Sequence, residues 1–165
     1  MLKESFTLMA NYNQWMNIRT YEAASQLTEL NLSKNQGAYF GSILCTLNHI
    51  FVADTIWLKR FGESPFQFSS LRHLQNRASP KSLDTIVYDN FRELNQSRRQ
   101  LDLAILNFIQ ELSEDIIKTH LTYINMKGEP FKKTFNVLLL HFFNHQTTIE
   151  DRCLRCYIKA VLMSV

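Results

Sequence analysis

Apolar residues recur every three or four positions over most of this chain, the spacing that stacks side chains on one face of an α-helix. Phe6, Met9, Ala10, Trp15 or Met16, Tyr21, Ala24 and Leu27 mark a first helix over 2–29. The stretch 30–40, "LNLSKNQGAYF", reads as a loop, and Ser42 is placed to cap a second helix over 43–61. Its apolar positions are Ile43, Leu47, Ile50, Phe51, Trp57, Leu58 and Phe61, and Gly62 ends it. Residues 63–80 are polar and punctuated by Pro65 and Pro80. Ser82 would then cap a third helix over 82–112, with Leu83, Ile86, Val87, Phe91, Leu94, Leu101, Ile105, Phe108 and Leu112 as its stripe. Over 116–133 the period changes. "IIKTHLTYIN" and "EPFKKTF" alternate around Met126-Lys127-Gly128, which predicts a short hairpin. A last helix runs over 134–160. The pattern predicts an all-α fold, an antiparallel four-helix bundle with a small hairpin between helices 3 and 4.

Composition narrows this picture. A length of 165 residues predicts a single domain over 1–165, and 45% hydrophobic residues can fill its core. Only 4 Gly and 3 Pro favour helices over a turn-rich β fold. The net charge of +3 comes from scattered basic residues, without the clustered face that nucleic acid requires, so no nucleic-acid partner is expected. Lys3 and Glu4 interrupt the first ten residues, and no apolar run approaches the ~20 residues of a membrane span, so neither signal peptide nor membrane segment is expected. Three cysteines, an odd number, do not make a disulfide framework, and a reduced, cytoplasmic setting follows.

Three of the five histidines lie inside apolar helices. His141 and His145 are four apart on one helical face, and His49 can approach from another helix. Facing helices of a bundle commonly build a site from inward side chains, and neutral imidazole suits Zn, Ni, Fe or Cu. Isolated pairs of this kind are more often ordinary core or boundary histidines. His73 and His120 read as surface residues. Asp54, five residues from His49, is only a loose second partner for that imidazole. Cys153-x-x-Cys156 has a metal or redox spacing but no second CxxC. Glu150 stands in a charged segment where nothing raises its pKa, so it reads as a solvated acid. Trp15 and Trp57 read as core. No Gly-rich phosphate loop is present, and no catalytic acid, base or nucleophile stands out.

Several runs of the sequence resemble the DinB family: "NYNQWMN" (11–17), "GSILCTLNHIFVADTIWLKRF" (41–61), "GEPF" (128–131) and "LLLHFFNHQT" (138–147). The resemblance implies an up-down-down-up bundle, often a homodimer. It further implies a divalent metal, commonly Zn or Ni, held by three histidines. The chemistry implied is thiol transfer or another metal-assisted reaction on a small molecule, with a low-molecular-weight thiol as candidate partner. His49 matches the ligand of the second helix and His145 the first ligand of the last helix. Family members continue with His-His-Arg-Gly-Gln-Val, which places the third ligand at position 149. Here that residue is Ile149, and an alkyl group cannot coordinate a metal. His141 matches a frequent family histidine that is not the usual ligand, and it is the stand-in.

The divergence after Thr147 has a simple possible origin. Deleting one cytosine from a codon run for Thr-His-His-Arg-Gly-Gln-Val yields Thr147, Thr148, Ile149, Glu150, Asp151, Arg152 and the first two bases of Cys153. The neighbouring frame further on can encode family-like Leu-Leu, Gln-Gly and Asp-Val pairs. The expectation is a −1 frameshift over 148–165. "DRCLRCYIKAVLM" stays apolar at helical spacing, through Cys153, Cys156 or Tyr157, and Ala160 or Val161, so a last helix is still expected. The opposing expectation is a catalytically silent bundle that binds a small molecule or a protein.

Overall fold

The computed structural model describes residues 1–37, 39–76 and 78–162, with side chains at 150–152, 154, 156 and 158–162 left aside. The readings made for Glu150, Cys156, Ala160 and Val161 therefore lie outside the described side chains. The helices are α1 (Leu2–Ala24), α2 (Glu29–Ser33), α3 (Ile43–Gly62), α4 (Arg72–Gln75), α5 (Phe91–Glu111), α6 (Glu114–Lys118) and α7 (Phe135–Leu162). A 3-10 turn at Ser69–Leu71 precedes α4, and the strands β1 (His120–Ile124) and β2 (Pro130–Thr134) lie between α6 and α7. The long helices pack α1 on α5 and α7, and α3 on α7 and α5. No helix among the described residues is long and apolar enough to cross a membrane.

Local chemistry sets most of the boundaries. Ser42 caps α3 as expected, its hydroxyl accepting from the Cys45 amide at 3.1 Å. The hairpin pairs His120 with Thr134 and Ile124 with Pro130, and Gly128 takes the positive φ (83°) of its turn. Gly62 is required for space, because a Cβ there would stand 2.1 Å from the Gln75 amide nitrogen of α4. At this end of the molecule Phe61 stacks on Phe108 and Phe135, and Phe68 meets both edge-on.

Three expectations change. The first helix stops at Ala24, and 29–33 form a separate short helix capped by Thr28. Trp15 is 54% exposed and is not core. The third helix begins at Phe91, capped by Asn90, and not at Ser82. The cause of this last difference lies in α3. The Asn48 carboxamide oxygen accepts from the amides of Val87 and Tyr88, both at 3.0 Å, while its nitrogen donates to the Tyr88 carbonyl at 2.9 Å. Side chains of α3 thus take up backbone groups that a helix over 82–90 would need for its own ladder. Leu83, Ile86 and Val87 are left 41–47% exposed.

The stripe that α1 buries is Phe6, Ala10, Asn13, Asn17, Tyr21 and Ala24. Two of those six are amides, because the centre of the core is polar. Arg98 of α5 is 1% exposed. Its guanidinium donates to Asp54 of α3 and lies 2.8 Å from Asp102 of α5. The Asn17 amide adds a bond to Asp102 at 2.9 Å, which ties in α1. Two carboxylates thus share one guanidinium out of water. Removing one member of such a set leaves an unpaired buried charge, at a cost of about 3–5 kcal/mol. Tyr21 also faces this region, and burial pushes its phenol well above the ordinary range.

Burial pushes Asp102 up to about 6, against the pull of Arg98. Burial also raises Asp54. Folding therefore favours the protonated carboxyl. The stability this contributes is complete below the unfolded value near 4 and is lost as pH rises through about 6. Chemical denaturation between pH 4 and 7 is expected to show wild-type stability falling with pH relative to Asp102→Asn, by up to about 3 kcal/mol. Parallel curves for the two proteins would contradict it.

Candidate functional site

Next to Asn48 on α3 stands His49, 7% exposed. Its Nδ1 lies 3.0 Å from the carbonyl oxygen of Leu83. A carbonyl only accepts, so Nδ1 carries a proton, and in the neutral ring the lone pair is then on Nε2. Metal-binding histidines are commonly oriented in this way, by a backbone carbonyl on the other ring nitrogen. Phe40 stacks on the ring with centroids 4.0 Å apart and shields one face. The loop after Ser82 thus has a positive role: Asn48 pins its end, and Leu83 sets the tautomer of His49.

His145 of α7, half-buried, faces His49 with ring centroids 5.5 Å apart. Metal–imidazole bonds of about 2.1 Å, with ring centres roughly 1.1 Å behind each nitrogen, put two rings on one tetrahedral ion about 5 Å apart. The observed separation is close to that value. His141 differs. It is exposed, its ring is 6.4 Å from that of His145, and it meets the edge of Trp57 at 5.3 Å. A separation of about 6.4 Å would need the two rings on opposite sides of a shared ion, not adjacent corners of a tetrahedron. Among the described residues, no three His, Cys, Asp or Glu side chains converge on one point. The donor set that fits a metal is therefore the pair His49 and His145, with His141 one turn away.

Position 149 lies four residues beyond His145 on the same face of α7. Ile149 is 5% exposed and turned into the protein, and Cys153, one turn on, is 1% exposed within the apolar core. The CxxC reading thus has one cysteine packed as an apolar side chain and one outside the described side chains. His73 and His120 are exposed, as expected. Asp54 pairs with Arg98 and reaches His49 only through a weaker electrostatic interaction.

The DinB family model matches residues 1–148. The chain belongs to the DinB family. The match ends one residue after Thr147, where the family-like text of the sequence also ends. No curated protein and no solved structure matches the chain.

Sequence reasoning found the three histidines and the Ile149 substitution. It missed Asn48, Arg98 and Asp102. All three were legible in principle, because each falls on the apolar stripe of its own helix, where a polar side chain must be partnered to be tolerated.

Proposed function

We propose that this DinB-family chain is a metal-dependent enzyme of the family's type whose site is reduced to two imidazoles, His49 and His145, with Ile149 in the place of a third ligand. The observation that carries this reading is the pair's geometry: rings at 5.5 Å, with the Nε2 of His49 left available by the Leu83 carbonyl. The cofactor is a divalent ion, Zn or Ni, and His141 is the reserve ligand if α7 or its side chains shift. A bound ion would supply Lewis acidity, lowering the pKa of a thiol or water. The chain's own part is to hold the Nδ1 proton of His49 on Leu83 and to shield that ring with Phe40. Two protein ligands make a weaker site than the three usual in catalytic zinc centres. The substrate class is a small molecule, with a low-molecular-weight thiol first.

The closed set of packed pairs, α1 with α5 and α7 and α3 with α7 and α5, supports an up-down-down-up four-helix bundle forming one domain. Leu8, Tyr12 and Trp15, 71%, 47% and 54% exposed along one side of α1, support a homodimer. We also attribute residues 148–165 to a −1 frameshift, because the family match stops at 148. Codons for 148–153 that cannot be read as His-Arg-Gly-Gln-Val in the neighbouring frame rule this out.

A second reading has its own observation. Ile149 and Cys153 pack into the core as apolar residues, which suits a catalytically silent bundle that binds a small molecule or a protein. Zinc titration with calorimetry separates the two. Weak one-to-one uptake is expected, with a Kd above about 1 μM. It should be lost in His49→Ala and in His145→Ala and retained in His141→Ala. Absence of stoichiometric uptake at neutral pH in the folded parent would favour the silent bundle.

A further inference from the structure

Two turns along α3 from His49, the same side of the helix enters a second feature. Ile56, seven residues after His49, lines a surface pocket of about 310 Å³ together with Lys59, Arg60, Glu63, Lys81 and Met126. The walls come from α3, from the connection around 79–81 and from the tip of the hairpin. Arg60 and Lys81 against Glu63 leave these three wall residues with one positive charge in excess.

Arg60 is the unusual member. Its guanidinium lies over the ring of Trp57, 4.7 Å from the centroid, and over that of Tyr123, at 5.1 Å. Two aromatic faces hold the cation in place and half-bury it. Yet among the described residues no hydrogen bond or ion pair reaches its five N–H donors. Glu63, three residues on, does not close on it. Burial draws the Arg60 pKa down, with Tyr123 and Glu63 opposing, so the charge is partly dehydrated and Glu63 compensates it only through space, without an ion pair.

A basic residue in the last turn of a helix often serves only the negative end of the helix dipole. That role needs no aromatic cradle and no pocket. A planar guanidinium whose charge rests on aromatic rings, with no carboxylate on its N–H groups, can make bidentate contact with two oxygens. Lys81, exposed, lines the same pocket, where a flexible ammonium can meet the same charge.

We propose that this pocket binds the anionic group of a small molecule, a phosphate or carboxylate, through Arg60 and Lys81. The site stands on the pocket and on Arg60 and needs no metal at the histidines.

Trp57 touches Arg60 and serves as the reporter. In a Trp15→Phe background it is the remaining tryptophan. The probes are inorganic phosphate and succinate, each titrated against sodium chloride at equal ionic strength. A saturable change in Trp57 fluorescence is expected for at least one of them, with a Kd of about 5 mM or lower. Which probe binds tighter tells phosphate from carboxylate. Arg60→Gln should weaken binding at least about tenfold, or 1.4 kcal/mol. Lys81→Glu, on an exposed loop, should weaken it without disturbing the helical circular dichroism. Lys34→Ala should leave it unchanged. His145→Ala, which lacks the histidine pair, should bind like the parent, so this proposal and the metal reading fail separately. A response to both probes no greater than that to chloride would overturn the proposal, as would equal affinity in folded Arg60→Gln or Lys81→Glu.

Discussion

The guanidinium of Arg98 lies between Asp54 and Asp102 with almost no access to water, and three of the long helices depend on it. It joins α5 to α3 directly and reaches α1 through Asn17 on Asp102. A dry charge of this kind tolerates few neighbours, because each remaining donor or acceptor must find a partner in a low-dielectric interior. Two buried amides stand against these carboxylates, Asn17 of α1 at Asp102 and Gln146 of α7 at Asp54. This polar centre fixes how α3 is rotated about its axis, and therefore which of its side chains face α7 and which face the loop after Ser82.

The candidate site follows from that rotation. With Asp54 turned to Arg98, Asn48 and His49 face the 83–88 segment, and each takes backbone groups from it. His49 gains a defined tautomer and meets His145 across the α3–α7 contact. Farther along α3, Trp57 bridges His141 and Arg60, so the aromatic surface leading away from the histidines ends at the basic pocket. A single helix carries a core anchor, a loop anchor, one imidazole and one cradled guanidinium, each on the face its spacing allows.

The long helices were legible because their apolar spacing is regular and Ser42 is a strong cap. The hairpin was legible because alternation replaces the 3-to-4 period around Gly128. The start of the third helix was not. Leu83, Ile86 and Val87 carry helical spacing, and only a contact from forty residues away, that of Asn48, removes them from the helix. Trp15 was misjudged because an aromatic at helical spacing usually packs, whereas the buried stripe of α1 runs through Asn13 and Asn17 instead. At the site, His49 and His145 could be named from the sequence and are brought together. His141 also lay on the right face of α7, but a face is wider than a coordination sphere, and its ring rests on Trp57. The role of Leu83 was invisible, since a backbone carbonyl leaves no mark in the sequence.

The zinc affinity of Ile149→His, measured beside the parent protein, tests most directly whether this site is a family metal centre lacking one ligand. Position 149 lies one turn beyond His145 on the same buried face, so an imidazole there should complete a three-histidine set. The Kd is expected to fall by at least about 100-fold, or roughly 2.8 kcal/mol. Cobalt substitution should at the same time give a tetrahedral absorption spectrum absent from the parent. A folded Ile149→His protein with unchanged zinc affinity would contradict the placement of a missing ligand at 149 and leave the silent bundle as the better description.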